Sequence, residues 1–188
     1  RRLVPQRCVV LGSAAAFAAN FDLSHAVSGV RPGEVPSAER TAETVLIEEV
    51  QKRCGIRLST SAVWPGATPV IAITSSTRVQ SWNRQIPQLK TGPEGYRLYL
   101  DQSSSQSSNA GTLWVIGADA RGTLFGVGQL IRSLDWSPRK LSVASPLDLT
   151  TAPIYAIRGH QLGYRTQANS YDAWNAAQFE QYIRELTY

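Results

Sequence analysis

The sequence predicts a layered α/β domain, and three observations predict it. SAERTAETVLIEEVQKR, residues 37–53, carries an amphipathic helix. PVIAIT, GYRLYLD and TLWVIGA are short runs rich in β-branched and aromatic residues and read as strands. A glycine-containing step, GADARG, then leads from the third run straight into a second helical pattern.

In the first helix Ala42, Val45, Leu46, Glu49 and Val50 recur at helical spacing, Ser37 stands as the N-cap, and residues 40–43 begin the polar face. Lys52 and Arg53 fall in the last turn, where the helix dipole favours cations, and Gly55 stops the helix. IRLSTS (56–61) and PVIAIT (69–74) flank a Trp-Pro-Gly turn and read as strands. GYRLYLD (95–101) alternates Tyr96, Leu98 and Leu100 against Arg97, Tyr99 and Asp101, the pattern of a half-buried strand. The polar SSSQSSNAG (103–111) reads as a hairpin loop, and TLWVIGA (112–118), apolar on both faces, as a central strand with Trp114 in the core.

GADARG raises the question of a phosphate loop. Gly117 and Gly122 have Walker spacing, but Thr123 and Leu124 stand where the chemistry needs Lys and Ser or Thr. Gly122, Gly126 and Gly128 do not make the dinucleotide pattern either. The step is therefore structural, with Asp119 capping a helix over RGTLFGVGQLIRSLDW (121–136) whose inward stripe is Leu124, Val127, Ile131 and Leu134. Each interior glycine costs about 1 kcal/mol relative to Ala, so Gly126 and Gly128 signal close packing of helix on sheet.

Composition narrows the function classes. The 188 residues suit one domain plus part of a neighbour, and 43% hydrophobic residues supply a core. The net charge of +5 comes mostly from Arg scattered singly, the tightest groups such as Arg1-Arg2 and Arg139-Lys140 being short, which is a solvated surface and not the clustered stripe of a nucleic-acid groove. No run reaches the ~18 apolar residues of a membrane span. Cys8 and Cys54 lack CxxC spacing, and the sequence leaves open whether they pair. Arg1, Arg2 and Arg7 precede the apolar CVVLGSAAAFAA, a layout shared by a secretory signal and by a first strand (7–11) with an Ala-rich helix; the second is favoured. The absence of Met and a last helical pattern without a stop signal suggest a processed or cut chain.

GPEGYRLYLD, followed after a variable loop by TLWVIGADARGTLFGVGQLIR, resembles the N-terminal domain that precedes the catalytic barrel in alpha-glucuronidases and beta-N-acetylhexosaminidases. LDLTTAPIYAIRGHQLGYR adds to the resemblance: it reads as an exit strand, a Thr-Ala-Pro linker and a strand, residues 154–157, like the first of a (β/α)₈ barrel. YDAWNAAQFEQYIRELTY would be the first barrel helix. The resemblance implies an open mixed sheet with two helices on one face over residues 1–150, then a linker and barrel start over 151–188. It also implies a polysaccharide-degrading glycoside hydrolase placed in the periplasm or outside the cell, with a carbohydrate partner bound through the barrel. Neither nucleic acid, a membrane nor a cofactor is expected as a partner.

Glycoside hydrolysis needs two carboxyl groups flanking the glycosidic oxygen. The resembled families draw them from later barrel strands, so no catalytic residue is expected within this chain. Glu94, Asp119 and Asp172 read as turn and cap residues. No HExxH occurs, the two histidines, His25 and His160, are far apart, and no metal site is expected. By position in the Arg-Gly motif, the resemblance assigns Arg158 to sugar hydroxyls or a uronic carboxylate, at the mouth of a barrel strand. His160, Tyr164 and Arg165 follow as candidate lining of the same pocket, the alternative for all four being a solvent-exposed or interdomain role. A rival reading is a stand-alone carbohydrate-binding domain with Trp64, Trp82, Trp136 and Trp174 as stacking platforms. A nucleotide-binding protein is weakened by the missing phosphate chemistry.

Overall fold

A computed structural model describes residues 19–28, 35–61, 63–81, 86–102, 110–160 and 174–187. Its class is the α/β class expected. Six strands form the main sheet: β2 (Val27–Ser28), β3 (Ser59–Thr60), β4 (Val70–Ser75), β5 (Tyr96–Asp101), β6 (Thr112–Gly117) and β9 (Asp148–Thr151), in the order β3-β2-β4-β6-β5-β9. β2, β3, β4 and β6 run parallel, and β5 and β9 antiparallel to their neighbours, so the sheet is mixed. A second sheet, β1-β8-β7, joins β1 (Ala19–Asp22), β8 (Lys140–Ser145) and β7 (Leu134–Ser137). The helices are α1 (Ser37–Cys54), α2 (Ala120–Ser133) and α3 (Ala176–Thr187).

The two-residue period of the strands divides the main sheet into two apolar faces. Ile73, Val115, Leu98 and Leu149 lie in one cross-strand row, and they share a cluster with Ala42, Val45, Leu46 and Val50 of α1 and Val127, Leu130 and Ile131 of α2. Both helices therefore cover that face. Val70, Ala72, Trp114 and Ile116 point the other way, where Trp64, Ile86, Leu89 and Tyr99 cover them. β4 and β6, buried at every position, are the central strands, whereas β5 alternates buried and half-buried residues as its sequence pattern requires. Of the residues expected to face inward, Leu98, Leu100, Val127, Ile131 and Leu134 are buried, and Leu124 packs on the cluster while remaining partly open.

Several expectations are corrected. Ser37 does not cap α1: Pro36 holds the N-cap position without a side-chain hydrogen bond, and Ser37 is the first helical residue. Gly55 ends the helix in the left-handed conformation, φ 70°, which costs a glycine little. α2 ends at Ser133, earlier than expected, because Leu134 pairs with Val143 in a strand that carries Leu134 into the same core. The strand expected over 56–61 shrinks to Ser59–Thr60. Residues 154–157 take no strand: Ile154, Tyr155 and Ile157 are 91%, 73% and 93% exposed. A strand needs a neighbour to satisfy its backbone groups, and none flanks them among the described residues. The first strand (7–11), the Ala-rich helix, Cys8, Trp82, Asp172 and the loop 103–109 lie outside the described residues. α3 is capped instead by Asn175, whose side chain accepts from Gln178 N (3.0 Å) while Gln178 Oε1 accepts from Asn175 N (2.9 Å).

One buried charge organises the helix face. Glu39, 2% exposed in the first turn of α1, accepts hydrogen bonds from Ser75 N (3.0 Å), Ser75 Oγ (2.9 Å) and Arg78 (2.9 Å). A buried carboxylate is tolerable only with such partners, and these fix α1 against the end of β4.

The glycines of the step into α2 act as contact points. A Cβ on Gly126 would lie 2.9 Å from Val115 Cγ1, so the close approach to the sheet inferred from sequence holds there. Gly128 is buried as well. A Cβ on Gly122 would lie 2.3 Å from the backbone oxygen of Gly95, and on Gly117 2.1 Å from Thr123 N. Gly126→Val is expected to lower unfolding free energy by about 1–3 kcal/mol through overpacking. Gly122→Ala should cost more than Gly126→Ala, because backbone and not a side chain must yield. Urea unfolding of the three variants checks both, and unchanged midpoints would contradict the close approach.

Candidate functional site

The candidate site grows from two turns. Gly92, Pro93, Glu94 and Gly95 form the turn that enters β5, closed by Gly95 N to Gly92 O at 3.2 Å. Proline in second place suits this turn, and the third residue takes φ 60° at Glu94. That is a conformation glycine adopts freely and which costs another residue about 1–2 kcal/mol. The second turn leaves β6 at Gly117 and enters α2 at Ala120.

Asp119 joins them. One carboxylate oxygen accepts from Gly122 N (2.8 Å), the helix cap expected from sequence, and the other accepts from Glu94 N (2.8 Å) in the first turn. Ala118 N donates to Gly95 O at 2.8 Å, a second link between the same turns. Partial burial alone would raise the Asp119 pKa, but backbone donors from Gly122, Glu94 and Arg121, with the Arg121 charge, outweigh it and hold the carboxyl below the ordinary aspartate value.

Glu94 completes the cluster. One carboxylate oxygen is paired with Arg121 of α2 at 2.5 Å and the other with Arg158. Arg158 also donates to Tyr155 O (2.6 Å), and its guanidinium lies over the Phe125 ring, 5.6 Å from the centroid. It is reached through β9, which is held to β5 by a fork of two 2.8 Å hydrogen bonds from Arg97 to Asp148.

Of the four residues expected to bind substrate, the structure brings two together. Arg158 and His160 border one groove of about 500 Å³ with Arg121, Leu124, Phe125 and Leu186. A neighbouring hollow of about 380 Å³ runs past Arg158 toward Tyr96, Arg132 and Thr151. His160 Nδ1 lies 2.7 Å from the Tyr182 hydroxyl of α3. Tyr164 and Arg165 lie outside the described residues. Arg158 is held by Glu94 at the edge of the groove. The sequence marks Glu94 only as a turn residue and does not single out Arg121, although each stands inside a motif, GPEG or GADARG, and both pair through the Glu94 carboxylate. Both carboxyl groups, Glu94 and Asp119, are engaged by donors of the chain itself, which suits an anchoring role.

The tryptophans make no free platform among the described residues. Trp64 packs on Trp114 (5.7 Å between centroids), Trp136 lies under Arg53 (5.2 Å), and Trp174 meets Phe179 and Tyr182 edge-on (5.5 and 5.1 Å).

No protein-family model matches the chain, and no curated protein does. Among solved structures the chain is similar to a family GH115 4-O-methyl-alpha-glucuronidase with specificity for decorated arabinogalactans (16% identity, TM-score 0.44, over 60% of this chain and 14% of that one). It is also similar to a GH20 exo-beta-N-acetylglucosaminidase from Vibrio harveyi (14% identity, TM-score 0.45, 74% and 18%). A third similar structure is a GH20 beta-N-acetylhexosaminidase from Streptomyces coelicolor A3(2) (17% identity, TM-score 0.49, 74% and 25%). The chain thus spans a quarter or less of the length of each.

The lowered Asp119 pKa has a definite sign. Stability gained from the ionised cap is present above the unfolded value, about pH 4, and is lost as pH falls through the lower folded value. Asp119→Asn keeps one acceptor but turns an NH2 toward a backbone N–H, and should therefore lower stability at neutral pH by about 1 kcal/mol or more and flatten the acid limb of the stability curve below about pH 4. Thermal melts across that range check it; parallel curves for the two proteins would contradict the assignment.

Proposed function

We propose that this chain is the non-catalytic N-terminal α/β domain of a glycoside hydrolase of the alpha-glucuronidase or beta-N-acetylhexosaminidase kind, with the linker into its catalytic barrel. The observation that carries this reading is the meeting of the motifs. GPEGY, GADARG and IRG, distant in sequence, converge on Asp119 and Glu94, so the three segments on which the resemblance rests form one hydrogen-bonded unit.

On this reading the domain is a base for the barrel and the carbohydrate is bound beyond it. Arg158 stands at the start of the barrel, where its fork of donors suits vicinal hydroxyls or a carboxylate, and His160 borders the same groove. The catalytic carboxyl pair belongs to later barrel strands and lies outside this sequence. An enzyme attacking polysaccharide works outside the cytoplasm, in the periplasm or beyond the cell. The rival reading, a free-standing carbohydrate-binding module, draws less support from Trp64, Trp136 and Trp174, each of which is engaged within the chain.

Two measurements test the proposal. This 188-residue chain should show no turnover of aryl glycosides of glucuronic acid or N-acetylglucosamine. Turnover that is abolished by a substitution inside it would overturn the reading. In a longer protein expressed from the uninterrupted reading frame, Arg158→Ala should lower kcat/KM roughly tenfold or more, from the loss of hydrogen bonds to a charged donor worth about 1.5–3 kcal/mol. Arg158→Lys should recover only part of that, and an unchanged kcat/KM for Arg158→Ala would return Arg158 to an interdomain role.

A further inference from the structure

We propose that Glu94 is the positioning residue for Arg158, a role that rests on the reading of Arg158 as a substrate contact. The turn that carries Glu94 asks for glycine at its third place, φ 60°, yet a glutamate stands there. Its side chain is 15% exposed and divides its two oxygens between Arg121 and Arg158. Arg121 is 71% exposed and belongs to the first turn of α2, so Glu94 couples the start of the linker to the helix through a single carboxylate.

Arg158 has few other restraints. One hydrogen bond goes to Tyr155 O within its own segment, and the Phe125 ring offers a face without a direction. The backbone of Glu94 is itself fixed, because its N–H is held by Asp119 and a Cβ on Gly122 would meet Gly95 O. A rigid turn thus presents one carboxylate to a guanidinium at the edge of the groove. It sets where the fork stands and leaves part of its donors for a ligand, since a guanidinium has five N–H groups.

The test separates positioning from mere support of the fold. In the ¹⁵N-labelled chain, the Nε–Hε signal of Arg158, assigned by its loss in Arg158→Lys, is followed by heteronuclear relaxation in wild type, Glu94→Gln and Glu94→Gly. It should be as ordered as the backbone in wild type and averaged in both variants. Glu94→Gly should melt at or above the wild-type temperature, because glycine takes the left-handed conformation freely. In the longer enzyme the same variants should raise KM roughly fivefold or more with kcat little changed, the effect of a misplaced binding group. Arg158 order that persists in both variants overturns the proposal, and so does loss of order only in step with loss of thermal stability. Averaged Arg158 together with an unchanged KM overturns the substrate contact itself, while an unchanged KM in Arg158→Ala shows that the functional reading, and not the geometry, has failed.

Discussion

The carboxylate of Asp119 is the constraint on which the rest of the site depends. It accepts from Gly122 N and from Glu94 N, and so closes a helix N-terminus and a strand entrance in one stroke. Without it the first turn of α2 would lose its side-chain cap and the Glu94 turn would lose the acceptor that holds its backbone. Two glycines make the geometry attainable. Gly117 and Gly122 sit where a Cβ would strike the backbone of Thr123 and Gly95. The loop that looked from its spacing like a phosphate cradle is instead a cradle for the protein's own backbone.

From this joint, order passes outward in two directions. Toward the core, α2 lies on β5 and β6 closely enough that Gly126 meets Val115, and Val127, Leu130 and Ile131 enter the cluster shared with α1. α1 is separately tied to the end of β4 by the buried Glu39 and its three donors. Toward the segment after β9, β9 is held to β5 through Arg97 and Asp148, and Glu94 takes hold of Arg158. The distant end of the described chain is attached more lightly, through the Glu48–Arg184 pair and the His160–Tyr182 contact.

Much of this was legible in the sequence, and the physical reasons differ by element. The period of two in GYRLYLD and the all-apolar TLWVIG foretold an alternating strand beside a central one, because each periodicity has one geometric meaning. The Asp119 cap and the Gly55 stop were legible because local backbone groups demand them. The second sheet was not, since Leu134 continues a helical stripe as well as it begins a strand, and only its pairing with Val143 decides. The same holds for the start of α1, where Pro36 displaces the serine that local preference favours.

The site was half legible. Arg158 and His160 were named from a motif, and both border one groove, but the partner that holds Arg158 lies 64 residues away and no local pattern announces it. A glutamate in a turn that favours glycine was the available signal, and it becomes visible only once the φ angle is known.

Amide hydrogen exchange at Glu94 and Gly122 reads whether Asp119 makes one unit of the two turns. Both amides should be strongly protected in the wild type and should lose protection together in Asp119→Ala while the amides of β4 keep theirs. Protection at Glu94 that survives the substitution, or that is absent in the wild type, would contradict it.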